Sequence, residues 1–372
     1  MSGDAPPARI ALIGLGGVCS SVHYPGLSRI PGVVITALCD VDREQLALRA
    51  AEWGVESCYS CLDDLASAAD VDAVVIATPN HQHRLLIEGA LGAGFHVLCE
   101  KPLGMDLAEA MEIYRLAAAS GRRHMTAFTY RFVPAMAYLK SLVKAGRLGR
   151  VRHARIQRLQ DWGERAIGWR QYRRLAGLGE LGDMGIHRID YAEDLMGPMR
   201  SVCASMKRLV PRDRTGDGQP CPPQDVEDWV AWIAEFESGA TGVFEMGKLS
   251  KGRGPRGDHD LAEINGTEAS AVYQLHRPHE ILFAGRGEPY RVRPVPPAYL
   301  TSPGSPRDPA QGDPTVTFRY DQAWEFISAI RGERECVPSF YHGMRAQAVA
   351  EAVEAASRER RWVDVPEVAA PA

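Results

Sequence analysis

The stretch Gly14-Leu15-Gly16-Gly17-Val18-Cys19 decides the fold through what flanks it. Before it, the apolar run Ala8 to Ile13 reads as a strand, and after it the chain reads as opening a helix. That is the setting a dinucleotide fingerprint requires. Gly14 permits a tight turn, and Gly16, with Gly17 and Val18 beside it, lets backbone amides approach a pyrophosphate at a helix N-terminus. Cys19 fills the last place of G-x-G-x-x-G/A, small but not glycine. A plain glycine turn would look the same, so the rest of the chain has to decide.

Outward from the fingerprint, strand-like and helix-like segments alternate. Val33 to Cys39, Ala73 to Ala77, Phe95 to Cys99 and His124 to Phe128 read as strands, and Arg43 to Trp53, Gln82 to Ala93 and Leu107 to Ser120 as helices, the last begun by Asp106 and ended by Gly121. The rhythm predicts an α/β unit over residues 1–129, a doubly wound parallel sheet of the Rossmann type. Asp40 ends the second strand, about twenty residues past the fingerprint, where a carboxylate accepts from ribose hydroxyls. A carboxylate there repels a 2′-phosphate, so NAD is favoured over NADP, with Arg43 keeping the second cofactor open. Thr78-Pro79-Asn80-His81-Gln82-His83 forms another turn at the ligand edge of the sheet. Neither its H-x-H nor the single C-x-x-C of Cys58 and Cys61 has further ligands suitably spaced, so no metal is assigned.

Cys99-Glu100-Lys101-Pro102-Leu103 ends the strand of Phe95 to Cys99. Pro102 stops the strand and keeps Lys101 out of the helical region, so the amine is aimed off the sheet edge where ligands bind. Beyond a helix over Pro134 to Gly146, longer strands follow one another: Val151 to Leu159, Val202 to Leu209, Trp229 to Phe236 and Gly242 to Met246. They predict an α+β unit over residues 130–372 with a large, mostly antiparallel open sheet, whose broad face invites a homodimer or homotetramer. Pro211 to Gln224, Lys251 to Asp258 and Arg286 to Pro314 read as loops, and Tyr320 to Arg331 and Gly343 to Glu359 as helices packed on a sheet. The basic run Lys251 to Arg256 is either a solvated loop or a contact for an anionic substrate.

With 372 residues, 45% of them apolar, the chain is long enough for two cores. A net charge of −4 gives no general attraction for nucleic acid or an anionic membrane, and no apolar run is long enough to span a bilayer. Met1 to Arg9 lacks the pattern of a signal peptide, which points to the cytoplasm. The eight cysteines read as small buried apolar residues rather than a disulfide framework.

Taken together, the fingerprint, Asp40, Thr78-Pro79-Asn80 with His83, and Glu100-Lys101-Pro102 resemble the glucose-fructose oxidoreductase and inositol dehydrogenase (Gfo/Idh/MocA) family. Tyr130-Arg131-Phe132-x-Pro134 is similar to that family's entry into its second domain, and Trp169-Arg170 with Asp183-x-Gly185-x-His187 to its catalytic helix. The departures are Cys19 and the segment Gly179-Glu180-Leu181-Gly182, where the family runs to glycine.

The resemblance implies an NAD(P)-dependent oxidoreductase moving hydride between nicotinamide and a secondary hydroxyl of a sugar, sugar derivative or cyclitol. His187 is then the base, Lys101 steadies the reacting oxygen, and Asp183, four positions from His187, orients the pair. Tyr130, Arg131, Trp169 and Arg170 are placed at the substrate, and Gly14, Gly16, Gly17, Val18, Asp40, Arg43, Thr78, Pro79, Asn80, His83, Glu100 and Lys101 at the cofactor. Two other readings stay open: a glycoside hydrolase or lyase that oxidises its sugar only transiently, and a non-enzymatic nucleotide sensor.

Overall fold

The computed structural model describes residues 6–163, 168–215, 218–254 and 259–368. Its first layer is a six-stranded parallel sheet built from β1 (Ala8–Ile13), β2 (Val33–Cys39), β3 (Cys58–Tyr59), β4 (Ala73–Ile76), β5 (His96–Cys99) and β6 (His124–Thr126), in the order β3-β2-β1-β4-β5-β6. Helices α1 (Tyr24–Leu27), α2 (Arg43–Trp53), α3 (Leu62–Ala68), α4 (His83–Gly92) and α5 (Leu107–Ser120) connect the strands. The order reverses between β1 and β4, which opens a crevice at their carboxyl ends. Local chemistry sets the helix bounds. Asp42 accepts from the Glu44 and Gln45 amides to start α2, Asp106 accepts from Glu109 to start α5, and Gly54 and Gly121 end them in the left-handed region.

Helix α6 (Pro134–Lys144) leads into a nine-stranded sheet of β7 (Val151–Leu159), β8 (Met199–Lys207), β9 (Trp229–Phe236), β10 (Thr241–Gly247), β11 (His259–Gly266), β12 (Ala269–Gln274), β13 (Glu280–Gly285), β14 (Arg291–Pro294) and β15 (Val363–Asp364). Every described pairing in it is antiparallel except β10 with β7. The remaining helices are α7 (Arg173–Ala176), α8 (Ile186–Met196), α9 (Pro314–Thr317), α10 (Tyr320–Ile330) and α11 (Phe340–Glu359).

The late helices bind the two layers together. Ala323, Phe326 and Ile327 of α10 share one apolar cluster with Ile10, Leu12, Leu38, Val75 and Leu98 of the parallel sheet. Helix α11 touches α5, α8, β6 and β8. The Thr126 amide donates to the Pro338 carbonyl at 3.0 Å, and Gln322 Nε2 donates to the Thr126 carbonyl at 3.3 Å. The carboxyl end of β6 is thereby tied to α10 and to the segment leading into α11. Among the described residues no helix is long and apolar enough to cross a membrane.

The structure corrects several sequence expectations. The strand expected over Val202 to Leu209 starts earlier, at Met199, and ends at Lys207. The stretch Arg286 to Pro314 is not loop throughout, since it carries β14. Strands β11 to β13 escaped the sequence reading, and β11 shows why: its inward positions alternate correctly, but one is Asp260, a charge where the pattern calls for an apolar residue. The expected loops Pro211 to Gln224 and Lys251 to Asp258 lie partly outside the described residues.

Asp260 is tolerated because it is answered on both sides. Arg188, fully buried on α8, bonds its Oδ2, and Arg158 Nη1 of β7 reaches the same oxygen at 3.1 Å. Removing the carboxylate would take from the fully buried Arg188 guanidinium the counter-charge that it bonds. Asp260→Ala is expected to lower stability in urea unfolding by about 3–5 kcal/mol. A loss under about 1 kcal/mol, the value of an exposed pair, would show that the charges are solvated in solution.

Candidate active site

A cavity of about 1150 Å³ runs from the carboxyl ends of β1, β2 and β4 to the face of the second sheet. Its first half is built from bare backbone. Gly14 has φ +83, and a Cβ there would stand 2.8 Å from Ala77 C and Thr78 N, so only glycine fits. Gly16 and Gly17 line the cavity with nothing within 4 Å of where a Cβ would be. The Thr78 Oγ1 is buried without a hydrogen-bond partner. Open glycine backbone and an orphan hydroxyl are what a dinucleotide would meet. Asp40 Oδ2 accepts from the Leu15 amide at 2.7 Å and Oδ1 from the Asp42 amide at 2.9 Å, which fixes its carboxylate on the cavity wall.

Val18, Pro79, Asn80 and Glu100 also line the cavity, while Asn80 Nδ2 reaches across to the Ala176 carbonyl at 2.9 Å. His83 and Arg43 are placed otherwise than expected. His83 is fully buried, with Nδ1 2.8 Å from the Pro102 carbonyl and Nε2 3.1 Å from that of Thr78, and it stitches two cavity turns together from behind. Arg43 is exposed in the first turn of α2, off the cavity wall.

At the far end the residues expected to react do meet. Lys101 Nζ donates to the Asp183 carbonyl at 2.6 Å and to its Oδ1 at 2.9 Å, and the lysine side chain is only 11% exposed. Arg170 Nε stands 3.8 Å from the same oxygen and its guanidinium lies 4.3 Å over the Trp169 ring. His187 is buried against Tyr130 and Phe128, with ring centroids 4.7 and 5.9 Å away. Asp183 and His187 do not share one regular helix. Leu181–Gly185 is a π turn, in which the Ile186 amide bonds the Leu181 carbonyl, and α8 follows it. Such wide turns recur at functional sites. Arg131 leaves the expected set: it chelates Asp190 at 2.6 and 2.7 Å and reaches Asp194 at 3.0 Å, bracing α8 outside the cavity.

The charges sort the groups. Burial would raise the Asp183 carboxyl, but the nearby Lys101 and Arg170 prevail and hold it well below the usual carboxylate range. Burial, reinforced by the charges of Lys101, Arg188 and Arg319, pushes His187 well below 6.5, so the imidazole is neutral, and its Nδ1 has no partner. Glu180 is entirely buried, neither carboxyl oxygen has a hydrogen-bond partner, and burial pushes it up to about 8.

Three supporting residues escaped the sequence reading. His23 Nε2 lies 2.9 Å from Glu100 Oε1, and although burial alone would raise that glutamate, the histidine holds it below its ordinary value. Glu227 clamps the turn that carries Asp183: its carboxylate accepts from the Gly179 amide at 3.0 Å and the Leu181 amide at 2.9 Å, and its carbonyl from the Glu180 amide at 3.2 Å. A side chain at 179 would run into the Glu227 carbonyl, which explains that glycine. Arg319 enters from just before α10 and lines the cavity near Tyr130. None of the three belongs to a motif, and each reaches the site only through long-range folding.

Residues 8–128 match the oxidoreductase family with NAD-binding Rossmann fold, and residues 136–272 match the GFO/IDH/MocA C-terminal domain. The chain is 30% identical to levoglucosan dehydrogenase of Pseudarthrobacter phenanthrenivorans, over 97% of this chain and 99% of that protein. It is 27% identical to inositol 2-dehydrogenase of Rhizobium meliloti, over 96% and 99%. The solved structure of levoglucosan dehydrogenase in complex with NADH and levoglucosan superposes with a TM-score of 0.89 at 29% identity, covering 97% of this chain and 100% of that one.

Glu180 gives the site a pH signature. Its carboxyl sits near 8 when folded against 4.5 ordinarily, so its contribution to stability is complete below about 4.5 and is lost as pH rises toward 8. Glu180→Gln is expected to match the wild type near pH 5 and then to exceed it progressively, by at most about 1.4 kcal/mol per pH unit, in urea unfolding across pH 5 to 8. Parallel stability profiles for the two proteins would show that the buried carboxyl does not titrate as assigned.

Proposed function

Because the chain belongs to the GFO/IDH/MocA oxidoreductase family, we propose that it is an NAD-dependent dehydrogenase oxidising a secondary hydroxyl of a sugar, sugar derivative or cyclitol. The observation that carries this reading is the meeting of Lys101, Asp183 and His187 at the end of a cavity whose other half is open glycine backbone. The relatives named levoglucosan dehydrogenase and inositol 2-dehydrogenase support a polyhydroxylated substrate.

Gly14, Gly16, Gly17 and Asp40 would hold the dinucleotide, whose nicotinamide would supply the acceptor for the hydride. The chain's own residues handle the oxygen and its proton. His187 is already neutral and so accepts the hydroxyl proton directly. Lys101 holds a cationic donor at the reacting oxygen, where negative charge gathers as the O–H bond breaks. Asp183 anchors that lysine from α8's leading turn, and Tyr130, Trp169 and Arg170 wall the substrate. Atoms balance: the hydrogen on carbon departs with the C–H electron pair as hydride to NAD, the O–H proton passes to His187, and the O–H electron pair forms the carbonyl. Asp40 repels a 2′-phosphate, which favours NAD over NADP.

The same reading takes residues 1–129 as the dinucleotide unit and 130–372 as the substrate and oligomerisation unit. Ile233 and Val243, 46% and 42% exposed on the outer face of the second sheet, support self-association through that face.

NADH formation from NAD with a panel of anhydrosugars and cyclitols tests the assignment. Lys101→Met is expected to lower kcat about 100- to 1000-fold while the affinity for NAD changes less than about threefold. With His187 held neutral, wild-type turnover is expected to show no inflection near pH 6.5, because protonation of the base lies further into the acid range. Full turnover in Lys101→Met would remove the mechanism, and release of the phenol from an aryl glycoside without NADH would replace the dehydrogenase by a lyase.

A further inference from the structure

Among the described residues, the substrate end of the cavity holds more positive charge than its own carboxylates answer. Lys101, Arg158, Arg170, Arg253 and Arg319 line the cavity, against Asp161, Asp183 and Glu100, with Asp40 at the cofactor end. The three carboxylates are engaged: Asp183 by Lys101 and Arg170, Asp161 by Lys251 at 3.7 Å, and Glu100 by His23 at 2.9 Å. Asp260, behind the wall, is taken by Arg158 and Arg188.

Arg319 is different. Its guanidinium carbon lies 5.3 Å from the Phe318 ring centroid and 5.9 Å from that of Tyr130, and among the described residues no carboxylate pairs with it. Two aromatic faces hold a half-buried cation in place, with its donors free to serve something in the cavity. Two neighbours register the excess charge independently. Burial would raise the Tyr130 phenol, yet Arg158, Arg188 and Arg319 hold it below its ordinary value, and the same arginines help to depress His187. The cofactor's pyrophosphate does not account for this charge, because its place is the fingerprint at Gly14 to Gly17, at the end of β1.

We infer that the substrate of this site carries an anionic group, a carboxylate or a phosphate, bound by Arg319 beside Tyr130. The guanidinium matches either group bidentately, and a partly desolvated cation gains most from a ligand of opposite charge. The inference rests on the dehydrogenase reading for the place of the substrate, but not on turnover. Arg253 and Gly254, at the start of the basic loop, line the same cavity and add to the attraction.

The test is calorimetric binding to the protein saturated with NADH, using matched pairs: D-glucuronate against D-glucuronamide, D-galacturonate against D-galacturonamide, and D-glucose 6-phosphate and myo-inositol 1-phosphate against their parent polyols. At least one acid or phosphate is expected to bind about tenfold or more tightly than its neutral partner, the return on a hydrogen bond to a charged group. The preference should shrink as salt is added. Whether the uronates or the phosphates show it identifies the anion.

Arg319→Met should abolish the preference without changing NADH affinity, and Arg319→Lys, which keeps the charge, should retain part of it. Neutral members binding as well in every pair, no anion binding at all, or a preference untouched in Arg319→Met would each overturn the inference. Preferential anion binding with no NADH formed from NAD by any member would instead overturn the dehydrogenase and leave the anion site standing. Oxidation of neutral members without anion preference would do the reverse.

Discussion

The contact on which the site depends is the pair of bonds from Lys101 Nζ to Asp183, 2.6 Å to the carbonyl and 2.9 Å to the carboxylate. It joins the end of a parallel strand to the turn before α8, and so closes the cavity between the two sheets. A lysine at a strand end would otherwise sweep a wide volume on four flexible bonds, at a large cost in side-chain entropy if held by water alone. Anchored to a fixed carboxylate and a fixed carbonyl, the amine occupies one place, which is the condition for stabilising charge that develops at one atom.

That contact is only as rigid as the turn on its far side. Leu181–Gly185 is a π turn and lacks the regular i to i−4 pattern, so its position must come from outside. Glu227 supplies it from the segment leading into β9, accepting the Gly179 and Leu181 amides that a helix start leaves unpaired. Arg131 braces the body of α8 through Asp190 and Asp194, and Arg188 ties the same helix to β11 through Asp260. Asp183 and His187 stand on a turn and helix fastened at the start, along the length and to the sheet beneath.

These fastenings mark the limit of what was legible in the sequence. The parallel sheet could be read because its strands are continuous apolar runs, and β1, β2, α2 and α5 fall on the expected residues. Lys101, Asp183 and His187 could be read because each stands in a short motif. Arg131 and His83 were misplaced for a common reason: a residue beside a motif is close to the site in sequence, but the direction of its side chain is set by partners far along the chain, Asp190 for one and the Pro102 carbonyl for the other. Glu227 and Arg319 had no local signal at all. The edge strand β14 is four residues long and carries an exposed arginine position, so nothing in its pattern separated it from loop.

Three carboxyl groups crowd the turn, and their environments assign them different states. Asp183 has a cation within hydrogen-bond distance and stays ionised despite burial. Glu180 has no such partner and is pushed up to about 8 by burial, so it is neutral near pH 7. Glu227 is raised by burial too, against the pull of the amides it accepts. Were Glu180 ionised, it would compete with Asp183 for the charge of Lys248, which acts on both. Keeping it neutral leaves Asp183 the one anion that the Lys101 amine bonds, so burial and access to charge set Asp183 and Glu180 apart within one turn.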